Sequence, residues 1–128
     1  MANPTVAIIG ASDDRRKFGN KSVRAHLRAG YDVYPVNING GTVEGLPVYA
    51  SVKDVPVEKL DRVSVYLPPR VGLTVLDEIA EKGCKELWLN PGADSEEVVR
   101  KARSLGLNVI QSCSIVDVGI SPYELSDQ

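Results

Sequence analysis

Gly10-Ala11-Ser12 follows directly on the apolar run Thr5-Val6-Ala7-Ile8-Ile9, and Arg15-Arg16-Lys17 comes shortly after it. Small residues let a ligand approach the main chain, Ser12 adds a hydroxyl, and the three cations add charge. A strand, a tight Gly turn and a helix start together make an anion site, because free backbone N–H groups and the helix dipole point at the ligand. The stretch from Gly10 to Asn20, including Gly19 and Asn20 at the onset of a helical pattern, is therefore a candidate phosphate loop. The plain alternatives are an ordinary strand-to-helix turn and a solvated surface charge run. A dinucleotide fingerprint beginning at Gly10 would need glycine at positions 12 and 15, where Ser12 and Arg15 stand. Three cations suit a ligand with several phosphates better than one with a single phosphate.

The second candidate strand ends at Val36, and Asn37 and Asn39 follow it. A nicotinamide-dinucleotide protein usually carries an Asp or Glu there for the ribose hydroxyls. Neither amide supplies a carboxylate's acceptor pair, and no cation stands beside them for a 2′-phosphate. Nucleophiles and acid–base groups are sparse. Cys113, Tyr66 and Asp117 are the candidates near strand ends, and no two form a recognisable catalytic unit. Cys113 could face a ligand thiol or be an inert packed thiol, and Cys84 reads as buried filler. His26 sits mid-helix without a local carboxylate, so it reads as partly packed or exposed. One His and two Cys leave no metal site and no disulfide framework.

These residues must be positioned by a single domain of 128 residues, 43% hydrophobic. The net charge of −2 gives no electrostatic reason to expect nucleic acid. No apolar run approaches the ~20 residues needed to span a bilayer. The expectation is a cytoplasmic protein with free thiols and no membrane partner.

Strand and helix patterns alternate along the chain. Val23 and Leu27 mark a helix over 20–29, and Tyr31–Val36 reads as a strand. A short strand near Val48-Tyr49 and a helical turn starting at Ser51 precede a strand over Arg62–Leu67, which ends at Pro68-Pro69. Val71, Val75 and Ile79 form one row of a helix over 71–82, followed by a strand at Glu86–Leu89. Asp94 with Glu97 resembles a capping box for a helix carrying Val98, Val99, Ala102 and Leu105. Leu107–Ile110 closes the series, and a polar tail over 117–128 is expected to pack outside or fray. The pattern predicts an α/β, three-layer, doubly wound parallel sheet of Rossmann-like type, with its core over about residues 4–116. In such sheets ligands bind beyond the carboxyl ends of the strands. Those ends hold Gly10–Gly19, Val36–Gly41, Pro68-Pro69, Asn90-Pro91-Gly92 and Gln111–Cys113. They suit a backbone-lined crevice, although turn chemistry alone also explains such residues.

Gly10-Ala11-Ser12, Pro35-Val36-Asn37, Gly45-Leu46-Pro47-Val48-Tyr49, Tyr66-Leu67-Pro68-Pro69, Asn90-Pro91-Gly92-Ala93 and Ser112-Cys113 occur in this order. Together they resemble the CoA-binding domain family, which includes the N-terminal domain of the succinyl-CoA synthetase α subunit, over residues 4–116. The resemblance implies coenzyme A or acyl-CoA as ligand. It implies contacts from Gly10, Ala11 and Ser12, from the basic loop with Lys17, from Val36 and Asn37, and from Pro68 and Pro69. The turn Asn90–Gly92 matches less closely, since many small members carry Gln there. Neither the phosphorylated His nor the second domain of the synthetases has a counterpart here, so the ligase reaction is not carried over. The expectation is a stand-alone, non-catalytic CoA binder. A small oxidoreductase or acyl transferase, a homodimer, and a subunit completed by a partner chain are the alternatives.

Overall fold

A computed structural model of the chain describes residues 2–128. Strand β1 (Thr5–Ile9) leads into helix α1 (Phe18–Arg28) and strand β2 (Asp32–Val36). A small hairpin, β3 (Thr42–Val43) with β4 (Leu46–Pro47), and a single 3₁₀ turn at Val52–Asp54 follow. Then come β5 (Leu60–Val65), α2 (Pro69–Lys82), β6 (Cys84–Leu89), α3 (Glu96–Ser104), β7 (Val109–Gln111) and a one-turn helix α4 (Ser114–Asp117). The five long strands are all parallel, in the order β2-β1-β5-β6-β7. The order reverses between β1 and β5, which is the switch point where such sheets open a crevice. Ile9 is in register with both Val36 and Val65, and Leu89 with Val65 and Gln111, so the strand ends form one row.

The sheet has two unlike faces. Ala7, Ile9, Val63, Val65, Leu87 and Leu89 point toward α2 and α3, where Leu76, Ile79, Val98 and Ala102 complete an apolar core. The other face, under α1 and α4, packs Val6 and Ile8 against Val23 but also carries a buried polar column. In it Ser64 Oγ lies 2.7 Å from Ser114 Oγ, which lies 3.0 Å from the Tyr66 hydroxyl. Asn90 Nδ2 donates to Ser64 Oγ at 2.8 Å, and its Oδ1 accepts from the Ser114 N–H at 2.9 Å. Arg62, 6% exposed, pairs with Asp117 at 2.8 Å and Glu86 at 3.1 Å, its guanidinium 4.5 Å from the Trp88 ring centre.

Several elements differ from their sequence patterns. His26 is fully buried rather than partly exposed, because α1 is covered on two sides. The sheet lies beneath it, and the segment after α4 lies across its outer face. There Leu125 joins Ala25 and Ile115 in a small core, Arg24 donates to the Ser126 carbonyl, and Lys21 pairs with Asp127 at 2.7 Å. The cap of α3 is Ser95, whose Oγ accepts from the Val98 N–H, whereas Asp94 accepts from Gly92. Tyr49 meets Val36 in a single parallel bridge beside β2, and the antiparallel pairing falls just before it, at β3 and β4. No helix among the described residues is long and apolar enough to cross a membrane.

Candidate functional site

The row of strand ends is dominated by the turn after β1. Gly10 adopts φ +91°, and a Cβ there would meet the Tyr66 carbonyl oxygen at 2.7 Å. A Cβ on Gly19 would overlap the Gly10 carbonyl oxygen, so the first turn of α1 rests directly on the turn's main chain. Both positions need glycine because backbone packs on backbone there. The Gly10 and Ala11 N–H groups are used by the Val36 carbonyl, at 3.1 and 3.3 Å. Asn37 Nδ2 donates to the Ala11 carbonyl at 2.9 Å, and Asn20 Nδ2 donates to the Ser12 carbonyl at 2.9 Å. The loop is thus pinned from β2 and from α1. The start of α1 itself stays open, since Lys17 at its cap makes no side-chain capping bond and no acid occupies its first turn. Free N–H groups there favour an anion.

The three cations divide by their neighbours. Arg16 forms a two-pronged pair with Asp14, both contacts 2.9 Å, and these bonds hold the Asp14 carboxyl down at about 2. Arg15 donates to the Gln128 main-chain oxygen at 2.6 Å and lies 3.4 Å from Glu44. Lys17 makes no ion pair among the described residues and borders two clefts.

Three clefts meet at Asn37, which lines each of them. The first, of about 300 Å³, is mainly apolar: Ile9, Val36, Ile38, Val52, Leu67, Val71 and Val75 surround it, with Thr74 and Glu78 at one side. The second, of about 280 Å³, is polar and small-residue lined, from Ala11, Ser12 and Lys17 across to Asn39, Gly40, Gly41 and Thr42. The third, of about 420 Å³, runs from Gly10, Ser12, Lys17 and Gly19 past Phe18, Tyr66 and Pro68 to Pro91 and Gly92. The size range is that of small-molecule sites.

Of the residues singled out in the sequence, Gly10, Ala11, Ser12, Lys17, Gly19, Val36, Asn37, Pro68 and Gly92 line these clefts. Arg15, Arg16, Asn20, Pro69 and Asn90 line none of the three. Asn20 is buried, bonding Ser12 and accepting from Arg24 Nε at 2.8 Å, and Pro69 is the first residue of α2. Asn90 is 2% exposed with both ends of its amide engaged inside the protein. The apolar cleft escaped the sequence reading. Its signal was present in the row Val71–Val75, which reads as core, but Val71 is 39% exposed at the cleft mouth, and Leu76 and Ile79 take the buried side. Burial pushes the Tyr66 hydroxyl pKa up. It also pushes the Cys84 thiol to about 11, at the far end of the sheet. Cys113 stands at the start of α4 as a half-buried free thiol that makes no capping bond. Among the described residues no group of His, Cys, Asp and Glu gathers to hold a metal ion.

Known proteins share this architecture. A conserved hypothetical protein from Pyrococcus furiosus is 37% identical with a TM-score of 0.79, over 91% of this chain and 99% of that one. The dinucleotide-forming acetyl-coenzyme A synthetase 1 of Ca. Korarchaeum cryptofilum, solved with phosphate and ADP, is 32% identical with a TM-score of 0.72, over 86% of this chain and 26% of that one. The alpha subunit of ADP-forming acetate–CoA ligase I from Pyrococcus furiosus is 31% identical over 98% of this chain and 30% of its own length. The chain thus spans under a third of the ligase subunits that it matches. Residues 4–119 match the CoA binding domain family, and the chain belongs to that family.

Proposed function

We propose that this chain binds coenzyme A or its acyl thioesters without catalysing a reaction on its own. One observation carries the reading: three clefts of different chemistry converge on Asn37. Coenzyme A has a matching set of parts, namely a purine, a ribose 3′-phosphate, and a pyrophosphate bearing a pantetheine arm. The apolar cleft suits the purine. The polar cleft, with Lys17 and the Gly40-Gly41 main chain, suits the 3′-phosphate. The open start of α1 suits the pyrophosphate, and the cleft toward Pro68 and Pro91 suits the arm. Lys17 contributes charge, while Asn20, Asn90 and the two arginines hold the loops that form the walls. Nothing at the end of β2 offers a carboxylate to an NAD ribose.

Isothermal titration with coenzyme A, dephospho-coenzyme A and NAD tests the reading. Coenzyme A is expected to bind at least about tenfold tighter than the dephospho form, as one charge-assisted phosphate contact provides. NAD is expected to bind more weakly than either. Preference for NAD, or equal binding of the first two, overturns it.

A second reading rests on the length relation to the ligase subunits. In it the chain supplies the CoA site of an acyl-CoA synthetase-like assembly and acts only with a partner chain. Sizing in extract of the native source distinguishes the two: a mass well above that of a monomer or homodimer favours the second.

A further inference from the structure

The apolar cleft contains one carboxylate, and nothing in the binding of phosphate or pantetheine accounts for it. Val71, Thr74, Val75 and Glu78 lie on one face of α2 at helical spacing and together form a wall of the cleft. Glu78 Oε2 accepts from Ser51 Oγ at 3.1 Å, which holds the side chain in place. Its second oxygen, Oε1, accepts no hydrogen bond among the described residues, and Glu78 forms no ion pair among them. An acceptor-only group beside an otherwise apolar slot is an arrangement that reads a donor on a flat ring.

We propose that Glu78 is the base-selecting residue of this site: it accepts from the exocyclic 6-amino group of an adenine held between Ile38 and Leu67. The proposal rests on the placement of the purine in this cleft given above. A 6-oxo purine sets a carbonyl oxygen against the carboxylate, an acceptor facing an acceptor. Sites built around a substrate N–H reject analogues lacking it more strongly than apolar pockets reject changes of shape.

The test uses adenosine 3′,5′-bisphosphate and inosine 3′,5′-bisphosphate, with coenzyme A as reference, on the wild-type chain and on Glu78→Gln and Glu78→Ala. The wild type is expected to prefer the adenine nucleotide by about tenfold, the range of one hydrogen bond to a charged group. Glu78→Gln, whose amide also donates, is expected to bring the two within about twofold by gaining inosine affinity. Glu78→Ala is expected to lose the preference by losing adenine affinity. Thermal unfolding of both variants identifies any loss of fold, and the alanine and glutamine changes check one another. Equal wild-type affinity for the two nucleotides while coenzyme A still binds overturns this assignment alone. So does a preference that survives both substitutions. Failure of coenzyme A itself to bind overturns the reading beneath it.

Discussion

Lys17, Arg16 and Arg15 are neighbours in sequence with three different fates, and the difference predicts their contributions. Arg16 is neutralised by Asp14 two residues away, and Arg15 by Glu44 and the Gln128 main chain, leaving Lys17 facing the clefts. Lys17→Ala is therefore expected to weaken coenzyme A by about tenfold and to flatten the salt dependence of binding. Arg16→Ala is expected to change affinity by no more than about twofold, as for an exposed ion pair. Titrations at two ionic strengths check both; a larger loss in Arg16→Ala than in Lys17→Ala refutes the division. The sequence made the residue types of this loop legible but not their partners. Arg15 and Gln128 are 113 residues apart, and no local pattern announces such a pairing.

At the scale of elements, the alternation of strand and helix was readable because the apolar periods switch cleanly and glycines mark the ends of α1, α2 and α3. The hairpin of β3 and β4 was not. Its two-residue loop is Glu44-Gly45, with φ of +50° and +78°, the left-handed pair of a type I′ turn. Asn or Asp in the first position would have signalled it, whereas Glu there is uncommon. The departure has a use, for it places the Glu44 carboxylate against both Arg15 and Asn20. The contact between α1 and the β1 turn is the most exacting of the element junctions. Gly19→Ala must displace either the Gly10 carbonyl or the helix start, and is expected to cost about 2 kcal/mol or more by overpacking. Coenzyme A binding is expected to fall with it. Ala at the exposed end of the same helix, Gly30→Ala, meets nothing within 4 Å and pays only for its φ of +88°. Chemical denaturation of the two variants, with coenzyme A titrations alongside, separates packing from conformation.

Across the whole molecule, the buried polar face couples folding to pH through His26. Burial lowers its pKa from 6.5 to about 4, aided by the charge of Arg62, while Nε2 has no partner. The unfolded chain therefore binds a proton that the folded chain does not. Stability is expected to be full above pH 6.5 and to decline as the pH falls toward 4, by up to about 3 kcal/mol. Asp14, held at about 2, loses its contribution only below that window. Unfolding free energies from pH 7.5 to 4 should show this slope in the wild type, and His26→Gln should flatten it. An unchanged slope in the variant assigns the proton elsewhere. No local pattern announces the burial of His26: Arg62, whose charge acts on it, comes from the distant strand β5, and the segment at 125–127 that pairs with Lys21 and Arg24 on the same helix is more distant still.

The meeting of three clefts at a single amide also bears on how pieces of a ligand behave. Each pocket alone is small and open, so a free nucleobase, inorganic phosphate or pantetheine should hold only weakly. Joined covalently, the pieces bring one another to high effective concentration, and the whole gains far more than any fragment suggests. Turning Asn37 aside would remove the common hinge of all three, and with it the advantage that comes from being linked.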